Sequence, residues 1–211
     1  RLGMETSYYS FDHRGWHFVV LDSIYPIEAE HGPSYEPRIG EEQLEWLACD
    51  LGAAAGRPTV AVTHIAAFCN LAQVNGDMEA KAMTGMVLRD NKDLRLVLER
   101  HGVKALLQGH SHQTEDFYFN GVHYLTSPAV SAAWWGGNWL GFKPGYTAFS
   151  CHANGELTWK RLTFPWEAKL EPEDTLERER IAEREAFEKE QKELFEAERR
   201  SKPVDCVAGT T

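Results

Sequence analysis

Over most of the chain, short apolar stretches alternate with stretches whose apolar residues recur at helical spacing. These patterns predict strands at 7–12, 16–22, 57–64 and 103–112 and helices at 40–54 and 91–102. Two Asn-Gly pairs with alternating flanks predict hairpins at 116–127 and 146–162. We interpret the two long stretches in between, 25–40 and 66–90, as loops, the second with a few broken helical turns.

The order of these elements predicts the fold class. Strand, helix, strand, helix and strand, followed by hairpins, is typical of an α/β protein with a mixed sheet. In open α/β sheets, ligands bind at the carboxyl ends of the strands. His64 ends one predicted strand, and His110 and His112 end the next one along the chain. We therefore expect the three histidines at one edge of the sheet, whereas His17 and His123 lie within alternating strands and are expected to be structural.

The C-terminal part of the sequence has a different composition. Residues 171–200 carry 12 acidic and 7 basic residues, and we predict a highly charged helix there. Its apolar residues form a thin stripe without sustained heptads, which favours a solvated helix. The alternative is that 171–200 docks on a partner or on a second copy. The change in composition predicts one domain at 1–166 and a charged helical tail at 167–211.

Charge and composition exclude several classes of function. The net charge of −10 argues against binding to a nucleic-acid backbone. No apolar stretch approaches the roughly 20 residues that a membrane-spanning helix needs. The four cysteines are scattered, so they predict neither a disulfide framework nor a zinc knuckle.

The three strand-end histidines have the chemistry of metal ligands, since neutral imidazole is the commonest metal ligand in proteins. His110 and His112 are two residues apart, so they can bind one metal or serve two adjacent ones, and Gly109 is expected to allow a tight turn before them. A lone histidine such as His64 can instead be a hydrogen-bonded structural residue, and it is the clustering of three that favours a metal site. The sequence after His110 lacks the HxHxDH pattern of metallo-β-lactamases, and the pair comes too late for an amidohydrolase.

The sequence resembles the C-terminal half of a calcineurin-like metallophosphoesterase of the bacterial cyclic-nucleotide phosphodiesterase-like type. The likeness spans about residues 7–163 and is carried by "VAVTHIAAF", "VKALLQGHSHQTEDFYFNGVHYLTSPAV", "GWHFVVLDS" and "GEEQLEWLACDL". It implies a metallophosphoesterase-type αββα sandwich that lacks its N-terminal portion. It also implies two divalent metal ions (Mn, Fe or Zn), with His64 and His110 on one and His112 on the other. The implied reaction is hydrolysis of a small-molecule phosphomonoester or phosphodiester between two metal ions.

The sequence departs from the family pattern at its N-terminal end. The family motifs D-x-H, G-D-x-x-D and G-N-H-[DE] do not occur, and Asp12 and His13 are adjacent rather than spaced. We therefore expect this chain to be the C-terminal part of a longer phosphoesterase, to be nearly inactive alone, and to contain no assignable catalytic residue. The alternative is a non-catalytic, degenerate phosphoesterase-fold module that acts through its tail helix.

A loop at 131–145 combines glycines with tryptophans. We predict that Trp134, Trp135 and Trp139 bind the substrate by stacking on a base or sugar, and the alternative is a packed lid over the sheet edge. We expect a soluble protein of the bacterial cytoplasm or periplasm, and the sequence starts at Arg1 without a signal-peptide pattern.

Overall fold

The computed structural model describes residues 6–29, 32–54, 56–77, 79 and 85–166, together with scattered positions between 169 and 197. In chain order, its elements are β1 (Tyr9–His13), β2 (Trp16–Val20), β3 (Ile24–Ala29), β4 (Gly32–Pro37), α1 (Glu41–Ala53), β5 (Thr59–Val62), α2 (Leu71–Val74), α3 (Asn91–Arg100), β6 (Ala105–Gln108), β7 (Glu115–Phe119), β8 (Val122–Thr126), β9 (Gly145–Cys151) and β10 (Leu157–Thr163). The alternation of strands and helices confirms the predicted α/β class.

A six-stranded mixed sheet organises the domain, in the order β1-β2-β5-β6-β8-β7. The four inner strands β2, β5, β6 and β8 run parallel to one another. The outer strands β1 and β7 each pair antiparallel with an inner neighbour. All four parallel strands therefore end at one edge of the sheet, as the sequence pattern predicts for β5 and β6.

Tight turns connect the outer strands to their partners. In the β1–β2 turn, Arg14 and Gly15 have φ values of 48° and 83°. In the β7–β8 turn, Asn120 and Gly121 have φ values of 48° and 87°. Positive φ at both central residues is typical of the type I′ turn that suits a twisted hairpin. The Asn-Gly signal in the sequence is thus confirmed for β7–β8.

The two longer helices bury their leucines in a shared core. Leu47 of α1 and Leu94 and Leu98 of α3 are fully buried, and they belong to one cluster with Val19 and Leu106 of the sheet. The other face of α3 is exposed. Both helices start and end within one or two residues of the predicted positions.

The predicted loop at 25–40 is wrong, because this stretch contains the antiparallel hairpin β3–β4. Its strands include Pro26 and Pro33, and most of their side chains are exposed. A two-stranded ribbon tolerates proline and needs no buried face, so it shows no apolar alternation in the sequence. The short helix α2 lies within 66–90, as expected for a loop with broken helical turns. The hairpin β9–β10 is confirmed as a separate two-stranded sheet.

His17 is structural, as predicted. Its Nδ1 and Nε2 atoms each lie 2.8 Å from a carboxylate oxygen, of Asp12 on β1 and Asp50 on α1 respectively. Arg57 also contacts the Asp12 carboxylate. These contacts tie β1, β2 and α1 together at the edge of the sheet opposite to the ends of the parallel strands.

Internal contacts divide the chain into two units, residues 1–166 and residues 167–211. The predicted helix at 171–200 falls almost wholly outside the described residues. Within the part of the chain that the structure describes, no helix has both the length and the apolar character to cross a bilayer.

Candidate metal centre

The register of the parallel strands brings His64 and His110 together. Val62 of β5 pairs with Leu107 of β6, and two residues later the His64 carbonyl accepts a 2.9 Å hydrogen bond from the Gly109 N–H. His64 and Gly109 therefore lie side by side just beyond the strand ends. His110 follows directly, at the same edge of the sheet.

The imidazole rings of His64 and His110 are in contact. Nε2 of His64 lies 3.0 Å from Nδ1 of His110, and the ring planes are nearly perpendicular at 77°. Two nitrogens that bind one metal at the usual zinc–imidazole bond length, with a bond angle between 90° and 109°, lie about 2.9–3.4 Å apart. A distance of 3.0 Å is that of an N–H···N hydrogen bond, and it also lies within the range for two ligands on one metal ion.

The backbone is left-handed at two of the histidines, His110 and His112. His110 and His112 have φ values of 73° and 55°, a conformation that side-chain-bearing residues rarely adopt. Gly109 does not have a positive φ, and a Cβ added to it would meet the His64 carbonyl oxygen at an ordinary 3.5 Å. The expected tight turn is present, since the Ser111 N–H donates a 2.9 Å hydrogen bond to the Gly109 carbonyl, but it is centred on His110 rather than on Gly109. Strain of this kind is concentrated at functional sites.

Partial desolvation favours the neutral form of both rings, although His64 is exposed and His110 is half-buried. Desolvation lowers the pKa of His64 below 6.5, and the nearby His112 lowers it further. Desolvation is also the largest cause that lowers the pKa of His110, followed by the repulsion from His64. Neutral imidazole is the form that binds metals, so the environment favours the ligand state near neutral pH.

His112 is held in a defined tautomer. Its Nδ1 lies 2.5 Å from the carbonyl oxygen of Ala132. A carbonyl oxygen only accepts, so Nδ1 carries the proton and the lone pair is on Nε2. A histidine that ligates metal generally donates its other ring N–H to a carbonyl or carboxylate in this way.

A buried hydrogen-bond network that the sequence pattern did not predict supports the histidine loop, residues 109–112. The Gln108 side chain accepts from the Ala67 N–H and donates to Thr126 Oγ1, at 3.1 and 3.0 Å. Thr126 in turn donates to Glu115, whose other carboxyl oxygen accepts from the Asn70 N–H at 2.7 Å. The network ties the loop after His64 to the ends of β6 and β8. Polar residues that end or begin apolar strands, as Gln108, Thr126 and Glu115 do, were the available signal.

The three predicted substrate-binding tryptophans make different contacts. The Trp139 indole N–H donates to the carbonyl of Ser111, between His110 and His112, at 2.9 Å. The Trp134 ring lies 4.4 Å from the His112 ring. Trp135 instead packs edge-on against Trp166. Two of the three therefore contact the histidine loop.

Acidic and sulfur ligands do not complete the histidine set within the described part of the chain. Among the described residues, no group of three or more His, Cys, Asp or Glu side chains is arranged to hold a metal ion. Asp22, just after the end of β2, uses its carboxylate to accept from the Ile24 N–H. The described residues therefore provide the His64–His110 pair and, separately from it, His112.

Comparison with known proteins gives a weak structural similarity. No family model and no curated protein matches the chain. The chain aligns with the crystal structure of a single mutant of Vps29 from Entamoeba histolytica, with 13% sequence identity and a TM-score of 0.25. The match covers 70% of this chain and 99% of that one. At this level of similarity, neither a family nor a function follows from it.

Proposed function

We propose that this chain supplies His64, His110 and His112 to the dinuclear metal site of a phosphoester hydrolase. The observation that supports this most is the 3.0 Å separation of the His64 and His110 nitrogens at the ends of two parallel strands. His64 and His110 would hold one divalent ion, and His112, through Nε2, the other. Imidazole nitrogens suit Fe and Zn in particular, so these donors fit two of the three metals expected for such an enzyme.

The chemistry of the proposed site follows from its charges. When bound, two divalent ions polarise the phosphoryl oxygens and lower the pKa of a coordinated water. The protein has a net charge of −10, so the metal ions would provide the positive charge that a phosphate needs. The three histidines of this chain would hold the ions, and the Ala132 carbonyl fixes the His112 tautomer. Trp134 contacts the His112 ring, and Trp139 donates to the Ser111 carbonyl.

The substrate class is a small-molecule phosphomonoester or phosphodiester. The proposed ligands are three imidazoles, and none of them is a carboxylate that could bridge two cations. The family motifs that would provide such a carboxylate are missing from the sequence. We therefore propose that this chain binds phosphate in a metal-dependent manner but turns over phosphoesters slowly on its own.

The test is binding of inorganic phosphate to the full chain, measured by calorimetry with Mn²⁺ and after treatment with EDTA. We expect binding with Mn²⁺, loss of binding with EDTA, and loss in the His110→Ala variant. His152→Ala is the control, because the exposed His152 side chain contacts Thr158 on the β9–β10 hairpin. Equal phosphate affinity with and without metal would contradict the proposal.

A non-catalytic binding module is the second candidate. It is favoured by the lack of a three-residue ligand group within the described part of the chain. In that case the histidine pair is a hydrogen-bonded structural contact, and a partner binds elsewhere, with the charged tail at 171–200 as the candidate surface. Wild-type protein that binds neither metal nor phosphate would select this function.

A further inference from the structure

The loop at 131–145, together with the residue before it, leaves four large apolar side chains open to solvent. They are, with their exposed fractions, Val130 (53%), Trp134 (62%), Trp135 (58%) and Leu140 (46%), and we call them the apolar rim. The two ends of this stretch are joined at its base, where the Gly145 N–H donates a 3.2 Å hydrogen bond to the Ala129 carbonyl. The four side chains therefore project from one closed loop.

Three residues of the apolar rim have a strained backbone. Trp134, Trp135 and Leu140 have φ values of 49°, 69° and 48°, in the left-handed region that residues with a side chain rarely adopt. Burial of these side chains does not offset the strain, because all three are exposed. Since backbone strain is concentrated at functional sites, the exposed apolar surface is itself a candidate for function.

Hydrogen bonds hold the loop in this conformation. The Trp139 indole N–H donates to the Ser111 carbonyl at 2.9 Å. The backbones of Trp139 and Phe142 exchange two hydrogen bonds of 3.0 and 2.7 Å, which places Leu140 at the tip of a tight turn. The apolar rim is therefore already formed in the free chain, and docking through it costs little in lost conformational entropy.

The charge of the loop differs from that of the chain as a whole. Residues 128–145 contain no acidic residue, and Lys143 is their only charged one, whereas the chain carries 32 acidic residues and a net charge of −10. A surface without carboxylates can approach the phosphate groups of lipids without repulsion. A single lysine adds little attraction to an anionic membrane, so apolar contact has to provide most of the affinity.

The composition of the apolar rim favours a lipid surface over a protein partner. Tryptophan is enriched at membrane–water interfaces, where its amphipathic ring lies at the level of the headgroups. Val130 and Leu140 are aliphatic and can enter the boundary between headgroups and acyl chains. Residues 127–144 are all described, and they contain none of the strands or helices that most peptide-recognition surfaces use.

We propose that the apolar rim docks this chain onto the surface of a zwitterionic phospholipid bilayer, with the indole rings at the level of the headgroups. Docking does not use the three histidines, so it goes beyond the proposed function and does not depend on it. Because apolar contact drives the docking, it is insensitive to the salt concentration.

The test is cosedimentation of the full chain with phosphatidylcholine vesicles in the presence of EDTA, so that no metal ion takes part. We expect wild type to bind equally well in low and in high salt. The double variant Trp135→Asn, Leu140→Asn should bind at least about tenfold more weakly, since each change removes a large apolar side chain from the lipid. Asparagine tolerates the left-handed backbone of both positions, so the variant keeps the loop conformation.

Two apolar side chains outside the loop provide a matched control. Leu96 of α3 is 50% exposed and Tyr118 of β7 is 67% exposed. The double variant Leu96→Asn, Tyr118→Asn should bind vesicles as wild type does. Equal losses of binding in the two double variants would overturn the proposal, because exposed apolar residues at any position would then serve equally well.

A second measurement needs no variant. Phosphatidylcholine labelled with bromine on its acyl chains should quench the tryptophan fluorescence of wild type, and an absence of quenching or of cosedimentation would overturn the proposal. Binding only to phosphatidylglycerol vesicles, with loss in high salt, would overturn it in favour of an electrostatic contact. Self-association of wild type without vesicle binding, lost in Trp135→Asn, Leu140→Asn, would overturn it in favour of a second copy.

The same assay keeps this proposal distinct from the proposed function. His110→Ala should bind phosphatidylcholine vesicles as wild type does, whatever its affinity for metal and phosphate. Loss of vesicle binding in His110→Ala would overturn docking through the apolar rim alone.

Discussion

The Nδ1 atom of His110 lies 3.0 Å from the Nε2 atom of His64, although the two residues are 46 positions apart in the sequence. Two features produce this contact. Parallel pairing of β5 and β6 places both residues at one sheet edge, and the left-handed backbone of His110 lets the chain turn sharply at that point. The result is a pair of imidazoles, one exposed and one half-buried, next to a third histidine whose Nδ1 faces the Ala132 carbonyl.

Two leucines on opposite sides of α3 test the packing of the core. Leu94 is fully buried, whereas Leu96 is 50% exposed. We expect Leu94→Ala to lower the free energy of unfolding by about 2–5 kcal/mol, because it leaves a cavity in the core. Leu96→Ala should change it by less than about 0.5 kcal/mol. Urea denaturation measures both, and equal effects would contradict the described orientation of the helix.

Glu115 tests the network beneath the site. Its buried carboxyl group accepts from the Asn70 N–H at 2.7 Å and from Thr126 Oγ1 at 2.8 Å. Glu115→Ala leaves these donors without a partner, and we expect a loss of about 3 kcal/mol in stability. Glu115→Gln keeps an acceptor oxygen and should cost about half as much. The exposed Glu156→Ala variant is the control, and a loss at Glu115 no larger than the control's would show that the network adds nothing.

The Asp12 carboxylate predicts how stability depends on acid pH. Its hydrogen bond to His17, followed by its contacts with Arg57, lowers the pKa of Asp12 below 3.8. A lowered pKa means that the unfolded state takes up the proton first as pH falls. The stabilisation by Asp12 is therefore complete above about pH 4 and is lost as pH falls through the folded-state value.

The corresponding measurement is unfolding of wild type and Asp12→Asn at pH 7 and pH 3. The variant should be less stable than wild type at pH 7, and the difference should shrink at pH 3. A difference that stays constant between the two pH values would exclude ionisation of Asp12 as the cause.

Substitutions at two glycines test whether the chain needs glycine there, either for a positive φ or for lack of space for a side chain. Gly121 has a φ of 87° in the β7–β8 turn, so Gly121→Ala should destabilise the protein by roughly 1–2 kcal/mol. Gly109 does not have a positive φ, and an added Cβ there makes contacts of 3.5 Å or more. We expect Gly109→Ala to change stability by less than about 1 kcal/mol and to leave metal affinity unchanged. A folded but metal-free Gly109→Ala protein would show that the glycine is required after all.

The regular elements were predictable because their signals are local. The leucine spacing of α1 and α3, the apolar runs of β5 and β6, and the Asn120-Gly121 pair each reflect one stretch of chain. The β3–β4 hairpin was not predictable, since its exposed ribbon buries no face and contains prolines. Placement of His64 and His110 at one edge followed from the parallel topology.

The details of the site depend on contacts between distant segments. The Ala132 carbonyl that fixes His112 lies 20 residues away, and the network from Gln108 to Glu115 joins three segments. The sequence treats the three tryptophans alike, whereas their contacts differ, because each contact depends on how loop 131–145 turns. Such differences arise from tertiary packing, which no local pattern encodes.

The most direct test is the metal content of the purified chain after dialysis against Mn²⁺ or Zn²⁺, measured by mass spectrometry for wild type, His64→Ala, His110→Ala and His152→Ala. We predict that wild type and His152→Ala retain metal. His64→Ala and His110→Ala should bind metal at least about tenfold more weakly, because each variant lacks one of the two ligands of the His64–His110 pair. Equal metal content in all four proteins, or none in any of them, would show that the His64–His110 contact is a structural hydrogen bond and not part of a metal site.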